Sequence, residues 1–280
     1  MKIHSKVQTY KSLRSFVNNS QRFLSRKESL NNLFWEVCKR WDKKACNPFS
    51  ANVFQNGIVR LSAIKTPSDY LLLSNGDYPE IIRLVQYAKK HNLFITGVTG
   101  PASECKLFTT EWGKPFGSER MLQQKDFQIF ETPNNNSFSD VRPNLDFLKA
   151  TVLEWPRVRL WAISFARESQ PPLSENAMVG MAKEMVDEGS MFILREGNKS
   201  VAMGGFGRFT PQRSVINMVY VPSELRSNGF ASTITYHIAI TAAKLGYAKS
   251  ILFSDYLGRG NLYKKMGWLR AGDFTEITFN

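Results

Sequence analysis

The sequence predicts a mixed α/β chain (an α+β arrangement around a mixed sheet) of two modules, and three observations carry that prediction. Apolar residues recur at helical spacing in some segments and run continuously over short stretches in others, and the two kinds of segment alternate. Residues 191–221 hold three short strand-like runs in succession, followed by a helix, a strand, a short helix and a last strand. Between the halves lies Glu131-Thr132-Pro133-Asn134-Asn135-Asn136-Ser137-Phe138-Ser139-Asp140, whose composition is that of a linker. The expected division is a basic helical extension over 1–45, a first module over 46–135 and a second over 136–280.

The elements follow in order. Leu13, Phe16, Phe23 and Leu24 form an apolar stripe at helical spacing, with cations left for the wet side of one or two basic helices. Leu30, Leu33, Phe34, Val37 and Trp41 give an amphipathic helix within 28–46. Short strands are expected at 57–64 and 70–74, around a turn at 66–69. Ile81, Ile82, Leu84, Val85 and Ala88 define a helix over 78–90, closed by Lys89 and Lys90 where cations favour the helix C-terminus. A strand at 93–98 then leads through Thr99-Gly100-Pro101 into a helix over 102–112. In the second half a helix carries Trp161, Phe165 and Glu168, stops at Pro171-Pro172, and is followed by a helix over 175–188. Strands are expected at 191–196, 200–209 and 215–221, separated by turns at Gly197-Asn198 and Pro211-Gln212. A helix over 230–245, a strand over 250–254, a short helix over 262–266 and a strand over 275–279 complete the order. A ligand is expected beside the last strand of the three-strand meander.

The chain has 280 residues, 42% of them hydrophobic and 22% charged, which is the balance of a soluble globular protein. No apolar run approaches the ~18 residues of a membrane span. Thirty-seven Lys and Arg against twenty-four Asp and Glu leave +13, a surplus that suits an anionic partner. Residues 1–45 hold eleven of those cations against Glu28, Glu36 and Asp42, a net of +8. This basic, serine-containing start, with no acid before Glu28, also fits a mitochondrial transit peptide, whereas no apolar segment after Met1 suggests secretion. The three cysteines, Cys38, Cys46 and Cys105, are odd in number and lack metal spacing, so they read as reduced thiols in a cytoplasmic protein. No histidine/carboxylate cluster has metal spacing, and no metal is expected.

The chemistry is concentrated in one stretch between a strand and a helix, Val219-Tyr220-Val221-Pro222-Ser223-Glu224-Leu225-Arg226-Ser227-Asn228-Gly229-Phe230-Ala231-Ser232. A helix N-terminus presents unpaired backbone N–H groups and a partial positive charge, so a loop turning into one binds an anion. Gly229 lets the backbone approach that anion, Ala231 keeps the first turn free of bulk, and Arg226 adds a formal charge at the rim. Taken alone, R-x-x-G-x-A is also compatible with an ordinary strand-to-helix turn.

This stretch resembles the acyl-CoA pyrophosphate loop of the GNAT superfamily of N-acetyltransferases. The similarity extends to Tyr263-Lys264-Lys265-Met266-Gly267-Trp268, a Tyr-x-x-x-Gly-aromatic run after the next strand. It extends also to Trp161, Phe165 and Glu168 on the preceding helix and to Asp255 after the fifth strand. The chain is similar, more narrowly, to two-domain predicted GNAT acetyltransferases that read V-Y-x-P-x-x-x-R-x-x-G-x-A-S. Their N-terminal module is matched by residues 66–77 and by Gly97-Val98-Thr99-Gly100-Pro101. The resemblance covers most of residues 50–280 and implies a GNAT acyl-CoA N-acyltransferase fold, preceded by a degenerate GNAT-like module that lacks the loop and does not bind CoA.

The resemblance implies direct acetyl transfer from acetyl-CoA to a primary amine of a small-molecule or protein acceptor. The pantetheine arm would pair with the backbone of Met218, Val219 and Tyr220, and a strand N–H would act as oxyanion donor. The loop residues Arg226 through Ser232 would hold the phosphates, and Tyr263 would protonate the departing thiolate. Glu168 and Asp255 are the candidate bases, because the strand over 215–221 carries no carboxylate. His237 reads as a packing or surface residue, and with every cysteine in the first half a covalent route has no nucleophile. The family places an Asn three residues before the Tyr, where this chain has Gly260. Asn261 is the remaining candidate for that cofactor contact, and Arg259 is a candidate for a CoA phosphate. The alternative function is a non-catalytic acyl-CoA-binding regulatory protein. No specific nucleic-acid partner is expected, because residues 1–45 lack the aromatic and glycine pattern of an RNA-binding module.

Overall fold

The structure is a computed structural model and describes residues 5–44, 46–114, 121–133, 141–258 and 260–279. Contacts divide the chain into unit 1, Met1–Ile129 with Ala271–Asn280, and unit 2, Phe130–Arg270. The dividing position thus falls just before the expected linker, most of which lies outside the described residues, and the last strand is grouped with unit 1.

Unit 1 contains β1 (Ser5–Thr9), α1 (Leu13–Leu24), α2 (Glu28–Asn31), α3 (Leu33–Lys43), β2 (Ser50–Gln55), β3 (Ile58–Lys65), β4 (Tyr70–Leu73), α4 (Tyr78–Lys90), β5 (Gly97–Pro101), α5 (Ala102–Gly113) and most of β6 (Met121–Glu131). Strands β1 to β4 pair antiparallel in sequence, and β5 joins β4 in parallel. The first segment is no separate extension. β1 pairs with β2 along its whole length, and α1 buries Phe16, Ser20 and Leu24 at i, i+4, i+8 spacing. The cations Arg14 and Arg22 fall on the opposite, exposed face, and Lys11 just before the helix is exposed as well. Two strands here, β1 and β2, have no apolar run to announce them, because their centre is polar. Asn52 of β2 is fully buried and accepts from Ser20 (3.0 Å) and Ser62 (2.7 Å) while donating to the Tyr10 hydroxyl (2.9 Å). A buried amide is tolerated because it is saturated in this way.

The strand expected at 93–98 is displaced to Gly97–Pro101. Leu93-Phe94-Ile95 is instead a connection, with Phe94 68% exposed. All five residues of β5 are buried, and a Cβ at Gly97 would stand 2.4 Å from the Tyr70 ring. Close strand packing, not apolar content, selects this segment.

Unit 2 contains β7 (Asp146–Lys149), α6 (Trp155–Glu168), α7 (Glu175–Asp187), β8 (Met191–Glu196), β9 (Lys199–Phe209), β10 (Arg213–Tyr220), α8 (Phe230–Lys244), β11 (Lys249–Ser254) and α9 (Leu262–Lys265), and β12 (Leu269–Phe279) begins at its end. The expected helices and the strands from β8 to β11 appear within a few residues of their predicted bounds, whereas β12 begins six residues before the expected 275 and β7 was not expected. Strands β7 to β10 are antiparallel neighbours and β11 joins β10 in parallel, the same pairing order as β1 to β5. One core packs Phe192, Phe206, Ile216, Ile234 and Ile238 between the sheet and α8, and another packs Val158, Trp161, Met185 and Met218 under α6 and α7. Residues such as Ile234 and Ile238 at 0% exposure anchor α8 to the sheet, each worth about 2–3 kcal/mol of transfer free energy.

Among the described residues, no helix is long and apolar enough to cross a membrane.

Candidate active site

The site begins with a fault in strand pairing. On the β9 side, Asn217 of β10 lies opposite Gly205 and Tyr220 opposite Met203, so Met218 and Val219 together face the single residue Gly204. This is a β-bulge, and it puts Met218 at φ +55°. The Asn217 side chain holds the kink, its Oδ1 accepting the Met218 N–H at 2.7 Å. On the other edge, β10 and β11 pair only over 213–216 and 249–252. Beyond that point a cleft of about 650 Å³ opens, lined by Val219–Val221, the loop before α8, Phe165 and Glu168 of α6, and Asp255, Leu262, Tyr263 and Lys265.

The loop is shaped from within. Ser223–Leu225 form one 3-10 turn, and Asn228 Nδ2 donates to the carbonyls of Leu225 and Arg226, both at 3.1 Å. Ser227 and Gly229 take φ of +64° and +75°. At Gly229 this left-handed geometry costs nothing sterically, whereas an L side chain would strain it. Helix α8 starts there without a side-chain cap, and its first internal bond is from Thr233 N to Gly229 O at 3.0 Å. The amides of Phe230, Ala231 and Ser232 consequently have no intrahelical acceptor, and all three residues line the cleft. That donor set, at the positive end of a 15-residue helix, fits a diphosphate.

Arg226 is used differently from the expectation. Its Nε donates to Val221 O at 3.0 Å, its guanidinium pairs with Glu168, and its Cζ stands 5.7 Å from the Tyr220 ring centroid. Tyr220 donates its hydroxyl to the other Glu168 oxygen at 2.8 Å. Burial alone would raise the Glu168 carboxyl, but the bonds from Arg226 and then Tyr220 outweigh it and hold the group below the usual carboxylate range. Both oxygens of Glu168 are thus engaged and its basicity is reduced, an arrangement that suits bracing α6 to the loop better than accepting a proton.

Tyr263, on α9, lines the same cleft. Its ring packs 6.0 Å from both Phe130 and Trp268, centroid to centroid. Its hydroxyl has no hydrogen-bond partner among the described residues. Burial, and secondarily the charge of Asp255, pushes the phenol up to about 12, so it carries its proton throughout the neutral range. Asp255 is exposed, lines the same cleft and has no ion-pair partner among the described residues.

Of the sequence-predicted residues, Val219, Tyr220, Arg226, Ser227, Gly229, Phe230, Ala231, Ser232, Glu168, Asp255 and Tyr263 share this cleft. Three do not. Met218 is buried in the core and its N–H is occupied. Asn228 is turned onto its own loop. Asn261 is corrected from cofactor contact to helix cap. It is 1% exposed, its Nδ2 donates to Ser254 Oγ (3.0 Å) and Tyr256 O (2.9 Å), and its Oδ1 accepts the Tyr263 N–H (2.9 Å). Asn261 therefore positions Tyr263 rather than a ligand. Arg259 lies outside the described residues. His237 does not line the cleft and stacks 5.1 Å from Phe147. The sequence reading missed Asn217 and gave Asn228 to the cofactor, whereas both side chains shape the backbone, a role that carries no motif. No group of three or more His, Cys, Asp or Glu side chains able to hold a metal occurs among the described residues.

Residues 155–268 match the model of the acetyltransferase (GNAT) family. A search of the curated proteins gives no match. Among solved structures, the chain is similar in fold to a GNAT-family acetyltransferase from Colwellia psychrerythraea, at 12% identity and TM-score 0.61, over 98% of this chain and 100% of that one. It is likewise similar to a GCN5-related N-acetyltransferase from Sphaerobacter thermophilus, at 12% identity and TM-score 0.60, over 98% and 94% of the two chains. A Drosophila protein aligns over 99% of both chains at 7% identity and TM-score 0.62.

Proposed function

We propose, from the premise that residues 155–268 are a GNAT-family domain, that this protein is an acetyl-CoA-dependent N-acetyltransferase acting on a primary amine. The observation that carries the reading is that an uncapped helix N-terminus and a buried tyrosine whose hydroxyl has no partner among the described residues line one cleft. The first can hold a diphosphate and the second can donate a hydrogen bond to a departing sulfur, and transfer from acetyl-CoA uses both.

In this reading the amides of Phe230, Ala231 and Ser232 bind the diphosphate of acetyl-CoA. The end of β10, freed from β11 after Ile216, offers its backbone at Val219 and Tyr220 to the pantetheine arm and to the thioester carbonyl oxygen. The acceptor nitrogen forms a bond to the acetyl carbon as the carbon–sulfur bond breaks, and Tyr263 hydrogen-bonds to the sulfur as negative charge develops there. An alkylammonium acceptor, with a pKa of about 10.4, must shed a proton first. Asp255 is the carboxylate of the cleft left free for that step among the described residues, since Glu168 is occupied by Arg226 and Tyr220.

A second reading, an acyl-CoA-binding regulatory protein without turnover, is favoured by that same occupation of Glu168 and by the absence of any carboxylate on β10. Two measurements separate the readings. Calorimetry with acetyl-CoA reports binding, and free-thiol release with a panel of primary amines, small molecules and lysine peptides, reports turnover. Binding with amine-dependent thiol release supports the enzyme; binding without release for any amine supports the regulator; no binding sinks both.

A further inference from the structure

We infer that Arg142 is the ligand for the 3′-phosphate of the CoA moiety, an assignment that rests on the acyl-CoA reading above. Arg142 belongs to no motif and lies just before β7, yet it is pinned to the start of α8. Its backbone N–H donates to Thr233 Oγ1 at 2.9 Å, and that hydroxyl donates to Gly229 O at 2.9 Å. Its guanidinium lies over the ring of Phe230, the first residue of α8, with Cζ 4.8 Å from the ring centroid. One nitrogen stands 3.5 Å from Asn228 O. A forked cation is therefore held on the rim of the diphosphate seat itself. The 3′-phosphate sits on the ribose that bears the diphosphate, so a group that recognises it has to stand within one sugar of that seat.

The charge arrangement supports the assignment. The loop's own cation, Arg226, is committed to Glu168, Val221 O and the Tyr220 ring. Among the described residues Arg142 has one ion-pair partner, Glu196, at 2.9 Å, and both side chains are more than two-fifths exposed. Exposed pairs of this kind contribute little, about 0–1 kcal/mol, so a phosphate dianion can displace Glu196. Arginine is suited to the exchange, because its planar fork matches a phosphate and its face keeps the stack on Phe230.

Calorimetry of the full chain with CoA and with 3′-dephospho-CoA tests the assignment. The wild type is expected to prefer CoA by about tenfold, the order of a charge-assisted hydrogen bond at a half-exposed site. Arg142→Gln is expected to lose that preference while binding dephospho-CoA within about twofold of the wild type. Arg142→Lys, which keeps the charge without the fork, is expected to fall between. Glu196→Gln leaves Arg142 intact and removes its competitor, so it is expected to tighten CoA and not dephospho-CoA. A wild type that binds the two ligands equally, or an Arg142→Gln chain that keeps the preference or weakens both ligands alike, overturns the assignment. Failure of the wild type to bind either ligand overturns the acyl-CoA reading on which it stands.

Discussion

Replacing Tyr263 by Phe removes one hydroxyl from the cleft and leaves the ring in place. The phenol is pushed up to about 12, whereas a free thiol titrates near 8.5. Full transfer of the proton to a thiolate of aqueous basicity would then be uphill by about 3.5 units, or roughly 5 kcal/mol at about 1.36 kcal/mol per unit. Burial that raises the phenol also raises a thiol in the same cleft, which narrows the gap. What Tyr263 offers is thus a hydrogen bond to sulfur as charge develops, worth about 1.5–3 kcal/mol for a charged acceptor. The expected loss in kcat for Tyr263→Phe is about 10- to 150-fold. Because the hydroxyl has no protein partner among the described residues, its removal leaves no stranded group, and Tm is expected to move by under about 2 °C. The assay is free-thiol release at saturating acetyl-CoA, with Kd for acetyl-CoA measured in parallel and expected unchanged within about twofold. A kcat within about twofold of wild type, or a loss matched by weaker binding, would refute the role. A fall in wild-type kcat with an apparent pKa of about 9–10 that vanishes in Tyr263→Phe would leave the role standing and contradict the raised phenol instead.

Phe16→Ala is expected to destabilise unit 1 by about 3–5 kcal/mol, because this side chain is fully buried against Phe34 and Tyr10; a normal melting curve would show that α1 is a dispensable leader. Asn261→Ala is expected to cost about 1–3 kcal/mol through the loss of a buried cap with three hydrogen bonds. Below its melting range the Asn261→Ala protein should still bind acetyl-CoA with the wild-type Kd, and a selective loss of binding would restore the cofactor contact. Glu168→Gln breaks a half-exposed pair, so the expected stability loss is at most about 1 kcal/mol. Since the folded Glu168 carboxyl is held below its unfolded value, that loss is fully present above about pH 5 and disappears as the pH falls through the depressed value. A difference that instead grows on acidification would contradict the pairing, and melting curves of both proteins between about pH 3 and pH 7 decide it.

Unit 2 was largely legible because its strands are apolar runs and its loop carries a motif. Met191–Leu194 and Ser200–Phe206 are buried throughout, and an apolar run bounded by turn residues is the plainest strand signal there is. The failures share one cause, which is that polar side chains do structural work when saturated. Asn52 makes a strand of a polar segment, Asn217 braces a bulge, Asn228 curls a loop and Asn261 caps a helix. An asparagine's position in the chain does not reveal which backbone groups it will meet, so Asn261 read as a ligand contact. The pairing of Arg226 was hidden for the same reason in reverse, because its partner Glu168 is fifty-eight positions away. The +8 of residues 1–45 was read as an extension because charge is visible in sequence and the burial of Phe16, Ser20 and Leu24 beneath it is not.

The two units share a strand order and differ in what fills the turn after the fourth strand, a difference that bears on where the proposed acyl-CoA site can form. In unit 2 that strand bulges at Met218–Val219 and parts from β11, and the amides at the head of α8 are left for an outside anion. In unit 1, β4 stays paired with β5 through Leu72, and a Cβ on Gly100 would lie 2.6 Å from the Leu73 carbonyl, so the strands remain closed at the point where a ligand would enter. The turn Ser74–Asp77 also brings its own anion. Gly76 N donates at 3.1 Å to Glu104 Oε1, a residue only 8% exposed, and Asp77 places a second carboxylate at the head of α4. A diphosphate there would meet two negative charges and a sheet with no gap, which is unfavourable on both electrostatic and steric grounds. Opening it would require removal of Glu104 together with a break in β4–β5 pairing. Single substitutions such as Glu104→Gln are therefore expected to destabilise unit 1 without creating a second acetyl-CoA site, and calorimetry of Glu104→Gln should still show one site per chain.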